Sequence, residues 1–474
     1  MTSAFLKAIA PISRVIPSVK KPKTSKSLKS RLFWVFLVSI IYLLMLNIPI
    51  YGVNTDQGID MFWSLRTILA SRRGTLAELG IGPIVTGGMV IQILVGSDII
   101  KVDMSNPKDK QLYNEANKSM SVLMTAFQAI AYILGGAYGQ LGPNQASIVF
   151  IQLLFAGILV ILLDEMVQRG YGWGSGISLF ILLGTTEQII WSSFAPVFGN
   201  DGLYYGVVLA IFQVFTSKDR YFREVLVRAG APDIVSLINT VGLVIFVLYL
   251  TMMKIKIPVE SSRYRMKFKY PINFMYSSNM PVILATALFA NVMLFSQIFR
   301  NMFSGNFFVS LLGTYSVTDG RPNPTGGLAY FVTSPRGILD SLIHPYQAIG
   351  YILILMVACW FFAKTWADIS GMGPEKITEQ LLSSNLSIPG IRRRKAPMIE
   401  YLAPYINTAT VLSGLLIGLI AGLGNVIGAF ASGTGLLLGV SISKRLWEEI
   451  QREHAEEMAP RMKSFLMGRA AGGA

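Results

Sequence analysis

The sequence predicts an all-α polytopic membrane protein of ten transmembrane helices, divided into two five-helix halves that form an inverted repeat. Three observations predict it. Of 474 residues, 52% are hydrophobic and 14% charged, where a soluble chain of this size carries roughly a quarter. Ten runs approach the ~20 apolar residues needed to cross a bilayer as helix. With the N-terminus inside, roughly three-quarters of the 41 Lys and Arg fall on inner segments, in line with the positive-inside bias.

Taken in order, residues 1–31 are basic from Lys7 to Arg31, and Phe5, Leu6, Ile9 and Ile12 recur at helical spacing. That pattern predicts either a short amphipathic helix on the membrane surface or a basic tail. The expected spans are 32–51, 82–100, 120–138, 146–166, 174–191, 232–253, 281–303, 346–366, 401–421 and 425–443. Residues 203–215 are apolar but too short to span, and counting them would place Arg392–Lys395 outside. They are read as interfacial. The halves are then 32–231 and 232–443, followed by a cytosolic tail, 444–474. An odd number of spans per half forces opposite orientations, the signature of an inverted repeat.

The stretch 74–96 stands out. It carries Gly74, Gly80, Gly82, Gly87, Gly88 and Gly96 and a single proline, Pro83. Pro83 suits the first turn of a helix, where its missing N–H costs nothing. So many glycines in a span imply close packing or a moving backbone.

Chemistry is sparse. No GxxxxGK[ST] loop or HExxH motif is present, the two histidines (His344, His454) lie outside the spans, and no aspartates pair within a span. No catalytic residue, metal site or cofactor is expected. Cys359 is the single cysteine, which rules out an intrachain disulfide. Asp164 and Glu165 sit at the inner end of the fourth span with Arg169 as the expected partner; Glu187 lies near an outer end. Thr86, Gln128 and Asn291 lie inside the second, third and seventh spans. They are ordinary packing contacts or one polar cluster at a seam that opens.

Of the net charge of +15, residues 1–31 supply eight basic side chains and no acidic ones, and two inner loops also stand out. Residues 254–280 interleave Lys254, Lys256, Arg263, Arg265, Lys267 and Lys269 with Tyr264, Phe268 and Tyr270; residues 367–400 hold Arg392-Arg393-Arg394-Lys395. Such charge sets topology, or it docks a polyanion such as ribosomal RNA or lipid headgroups.

Several ordered motifs carry a family resemblance: NIPIYG (47–52), GTLAELGIGPIVTGGMVIQ (74–92), GYGWGSGISLFI (170–181), IPVESSRYR (257–265), IPGIR (388–392) and GTGLLLGVSI (433–442). The chain resembles the SecY family of protein-conducting channels, in its archaeal-type wording, over nearly its whole length. The resemblance implies a clam-shell of two halves around an hourglass pore. It implies a pore ring of Ile81, Val85, Ile177, Ile181, Ile283 and Leu438 (or its neighbour Leu437), and a plug near 58–73. It implies a lateral gate between spans two and three and spans seven and eight, with Thr86, Gln128 and Asn291 at its polar positions. It further implies ribosome docking through Arg263, Arg265 and Arg392. The expected partners are a clamping SecE-like subunit, a small beta-type subunit, signal sequences and nascent chains, and membrane lipid, but not DNA. The expected location is the plasma membrane, with both termini cytosolic. The competing class is an inverted-repeat secondary transporter, which should carry charges deep in its spans for coupling ions.

Overall fold

In the computed structural model, the described residues are 16–24, 26–53, 69–97, 99–100, 102, 106–139, 141–199, 201–217, 221–228, 231–261, 267–275, 279–302, 307–318, 321–335 and 337–471. The expected amphipathic helix at residues 5–12 and most of the plug region therefore lie outside them. Residues 16–24 carry no helix.

Each of the ten expected spans contains a long helix. The first half has α1 (Leu28–Asn47), α2 (Gly82–Gly96), α3 (Pro107–Leu134), α4 (Pro143–Met166) and α5 (Gly176–Phe194). Two outer helices follow, α6 (Val207–Thr216) and α7 (Arg223–Leu226), before α8 (Ile234–Met252). After the inner strands β1 (Lys254–Ser261) and β2 (Lys267–Asn273) comes α9 (Met280–Met302). The outer connection then folds as α10 (Phe307–Leu312), β3 (Thr314–Thr318), β4 (Arg321–Gly326), α11 (Leu328–Val332) and α12 (Ile338–Ile343). The chain ends with α13 (Pro345–Ile369), α14 (Pro374–Ser383), β5 (Leu386–Ser387), α15 (Lys395–Val426) and α16 (Gly433–Ala471).

Seven of these helices are long and apolar enough to cross a membrane by composition alone. The other three spans differ for physical reasons. At 15 residues, α2 is short because Pro83 delays its start. In α3, 28 residues long, the opening turns are polar, and Asn106 caps it by accepting from Lys108 N at 3.1 Å. The third, α16, runs 39 residues and leaves the apolar region in a charged extension. Its expected start at 425 is corrected to Gly433. Gly428, Ala431 and Ser432 take positive φ and turn the chain, and Asn425 Oδ1 accepts from Gly433 N at 2.7 Å.

At ten residues, α6 is half the length that spans. It packs through Val207, Ala210 and Val214 onto Leu203, Val225, Ile234 and Phe430. Below it, the Arg228 guanidinium is buried and bonds Asp201 through Nε (2.8 Å) and Nη2 (3.1 Å) and the carbonyls of Tyr205 and Pro232 through Nη1.

The all-α expectation needs one amendment: two small antiparallel sheets cap the loops. On the inner side the strand order is β2-β1-β5, with Lys254 opposite Asn273 and Glu260 opposite both Lys267 and Ser387. This sheet joins the two basic loops, which the sequence presents as separate. Ile257 and Val259, two apart on β1 and so on one face, pack with Ile377, Leu381, Met398 and Leu402. On the outer side β3 pairs with β4.

Packing between helices relies on small residues. Gly414, Gly418 and Gly422, one turn apart on α15, let α13 approach closely: a Cβ on Gly418 would lie 2.6 Å from Met356 Cα. Without a hydrophobic drive between helices in lipid, such close contact is what holds them.

Candidate functional site

Approaching α2, the chain is irregular, as its glycines and Pro83 predict. Ile81 N donates to Leu69 O at 2.9 Å. Gly80 takes φ +52°, and a Cβ there would fall 2.1 Å from Leu69 O, so no other residue fits. Glu78, buried, accepts from Gly74 N at 2.8 Å. These contacts set Ile81 at the helix entrance, and Val85 lies one turn on.

On α5, Ile177 and Ile181, both expected in the ring, follow a helix start set by a carboxylate. Asp164 Oδ1 accepts from Ile177 N at 3.1 Å, and Gln168 donates to its Oδ2 at 2.8 Å. A carboxylate at a helix N-terminus meets the unsatisfied N–H groups and the positive end of the dipole. Gly176 permits the approach, since a Cβ there would sit 2.5 Å from Asp164 Cα. Arg169 pairs instead with Glu165 (2.5 Å), which also holds Lys118 of α3 at 2.9 Å. The expected Arg169 partnership thus holds for Glu165, while Asp164 shapes the start of α5.

Ile81, Val85, Ile181, Ile283 and Leu438 are each at most 5% exposed and belong to one contiguous apolar cluster, with Ile177 half-buried against it. Leu437 is buried in the same cluster. Four separate helical elements contribute these six side chains to that cluster, and none of the six carries a polar group.

Thr86, Gln128 and Asn291 also come together. Gln128 Nε2 and Asn291 Nδ2 both donate to Thr86 Oγ1, each at 3.2 Å. A hydroxyl oxygen has two lone pairs and can accept both. The second Asn291 hydrogen goes to Ala287 O at 2.8 Å. All three side chains are buried, so α2, α3 and α9 share one polar knot. Beside it, on the exposed edge of the same seam, Phe127 of α3 meets Phe295 of α9 at 5.8 Å between centroids, and Phe295 stacks on Phe299 at 6.1 Å. Toward the inner end, Gly96 of α2 abuts Thr365 of α13.

Of the basic-loop residues, Arg263 and Arg265 lie outside the described residues. Arg392 is exposed and borders a shallow pocket with Gly390, Ile391, Pro397, Glu400 and Tyr401. Arg393 bonds Leu382 O at 3.2 Å, and Lys395 pairs with Glu379 at 2.8 Å.

Two features escape a reading of the sequence alone. Asn425 bridges Tyr351 OH (2.7 Å) and Gly433 N, a contact that no motif announces. The second is a knot across the inner face. Lys118 Nζ donates to Pro17 O at 2.9 Å, Trp173 Nε1 donates to Glu453 Oε2 at 2.8 Å, and Arg31 pairs with Glu453.

Residues 75–447 match the SecY family model. The chain belongs to the SecY family. Residues 40–74 match the plug domain of Sec61p, which places a plug-type segment ahead of the irregular approach to α2. Among solved structures, one of a protein-conducting channel is 34% identical, with 95% of this chain and 98% of that one covered and a TM-score of 0.81. Sec61 in the canine ribosome–channel complex from the endoplasmic reticulum is also 34% identical, with the same coverage and a TM-score of 0.78. A structure of the idle yeast Ssh1 complex bound to the yeast 80S ribosome, 22% identical over 93% of both chains with a TM-score of 0.77, shares the fold. As a SecY-family member the chain is a multi-pass membrane protein of the protein-conducting channel class.

Proposed function

We propose that this chain is the central subunit of a translocation channel that passes unfolded secretory polypeptides through the aliphatic ring and releases apolar segments sideways into lipid. The reading rests on the Thr86–Gln128–Asn291 knot, which ties α2 and α3 to α9 across one line. Around Ile81, Val85, Ile177, Ile181, Ile283 and Leu438, an aliphatic constriction offers a passing chain no hydrogen bond to trap it and gates small ions by dewetting. At the seam, two amide-to-hydroxyl bonds contribute about 0.5–1.5 kcal/mol each. They hold it shut, yet an entering apolar helix can outweigh them by burying a few side chains at ~1.5–3 kcal/mol apiece. The knot then tunes how apolar a segment must be.

In this reading residues 32–231 and 232–443 are the two leaves, residues 58–73 the plug, and α2/α3 against α9/α13 the gate. The chain sits in the cell membrane with both termini cytosolic, clamped by a SecE-like subunit and joined by a small beta-type one. Arg263, Arg265 and Arg392 dock the ribosome, and the pushing or pulling partner supplies the driving force. The transporter reading is disfavoured because the buried charged residues among those described, Glu78, Asp164 and Arg228, lie in a loop approach, at a helix end and in an outer loop, none of them deep in a span.

The test replaces Thr86, Gln128 and Asn291 with leucine and measures insertion of a graded series of test segments. The apolarity needed for half-insertion should shift; an unmoved midpoint returns the three to simple packing. Co-purification in mild detergent should bring down two small single-span partners.

A further inference from the structure

We propose that the outer connection 307–343 is seated in the outer leaflet of the bilayer, with α10 and α12 lying in the membrane interface. Phe307, Phe308 and Leu311 of α10 are 75%, 78% and 63% exposed, and Leu339, Leu342 and Ile343 of α12 are 57%, 72% and 71% exposed. Within each helix the three lie three or four positions apart or adjacent, so they share a face. On each helix, three large apolar side chains so open to solvent make a face that a water-facing loop does not carry.

The occupant follows from continuity. From α12 the chain passes directly into α13, whose exposed residues Tyr346, Ile349, Leu353, Val357 and Trp360 recur every three or four positions. That is the lipid-facing stripe of a membrane span, and the exposed face of α12 runs into its outer end. Likewise α10 follows α9, whose Phe295 and Phe299 are exposed on the same side of the chain. Each short helix has six residues, roughly 9 Å at 1.5 Å per residue, far under the ~30 Å hydrocarbon core. Neither can cross, so both lie along the surface, as apolar-faced helices do at the acyl–headgroup boundary. Between them α11 wedges in: Gln347 Nε2 donates to Tyr330 O at 3.2 Å, and Phe331 covers Gly350. The β3–β4 hairpin presents Thr314, Ser316 and Thr325 outward and stays in water. The result is a lipid-anchored wall outside α9 and α13. It stands apart from the seam reading, which survives if this proposal fails.

The test uses the full chain with Cys359→Ser, which removes the single, buried cysteine. Spin labels on Phe308→Cys, Leu342→Cys, Ser316→Cys and Leu353→Cys are read in vesicles of phosphatidylcholine and phosphatidylglycerol, by collision with oxygen and with a water-soluble nickel chelate. At 308 and 342 the oxygen-to-nickel ratio should lie several-fold above that at 316 and approach that at 353. A ratio equal to that at 316 overturns the proposal; shielding from both reagents assigns the patch to a protein partner and overturns it too. In the unmodified chain, a photoactivatable lipid should label peptides from 307–312 and 338–343. Label confined to the long helices is the contrary result.

Discussion

Thr86 accepts two amides on one oxygen, so a single side chain links three helices through hydrogen bonds. Loss of that hydroxyl leaves two buried amide N–H groups unsatisfied, at about 1–3 kcal/mol for each such group, more than any one of the bonds contributes. The six residues proposed for the ring are of the opposite kind, with nothing polar to offer. Replacing several of Ile81, Val85, Ile177, Ile181, Ile283 and Leu438 with serine should raise ion leakage across a planar bilayer; unchanged conductance would remove the ring role. Away from the membrane, Arg228 holds the Asp201 carboxyl below the usual carboxylate range through its hydrogen bond. A depressed folded-state value means the stabilisation is complete above the unfolded value, ~3.9, and drains as pH falls through the lower folded one. Amide hydrogen-exchange protection within 196–233 should therefore fall as pH drops below about 4, and Asp201→Asn should lower it already at neutral pH.

At the scale of elements, glycine marks where helices touch. A Cβ on Gly87 would lie 2.7 Å from Ser121 N of α3, whereas on Gly88 its nearest neighbour is Asn117 Oδ1 at 3.5 Å. Adding a methyl where backbone blocks it costs about 1–3 kcal/mol, while Gly to Ala within a helix gains up to ~1 kcal/mol. Gly87→Ala should lower the thermal midpoint in detergent and Gly88→Ala should leave it equal or raised. The ten spans were legible because apolar length is a one-dimensional property of the chain. The start of α16 was not, because Asn425 caps Gly433 only once the turn at 427–432 has formed. The inner sheet was hidden for a similar reason: β1 and β5 lie more than 120 positions apart, and the basic residues around them read as charge rather than as strands.

For the whole molecule, the knot at Thr86 and the apolar cluster behind it were legible as residue types but not as contacts. Three mildly polar residues on three spans fit packing as well as assembly until their distances are known. The inner surface is where charge remains available. Arg393 and Lys395 are engaged within their own loop, while Arg392 and Arg394 are exposed. Arg392→Glu should weaken ribosome binding and flatten its dependence on salt; an unaltered salt slope would leave Arg392 with topology alone.

Arg31 and Glu453 stand 422 positions apart in the chain. A ribosome makes Arg31 those 422 residues before Glu453. Until Glu453 is made, Arg31 and Trp173 lack the carboxylate they share, although Trp34 already packs on Tyr171 and Lys118 already holds Pro17 O. The pair closes the protein as a clasp closes a necklace. Arrival of Glu453 is thereby written into this face, and a product cut short before it would present Arg31 and Trp173 without their shared carboxylate to whatever surveys new membrane proteins.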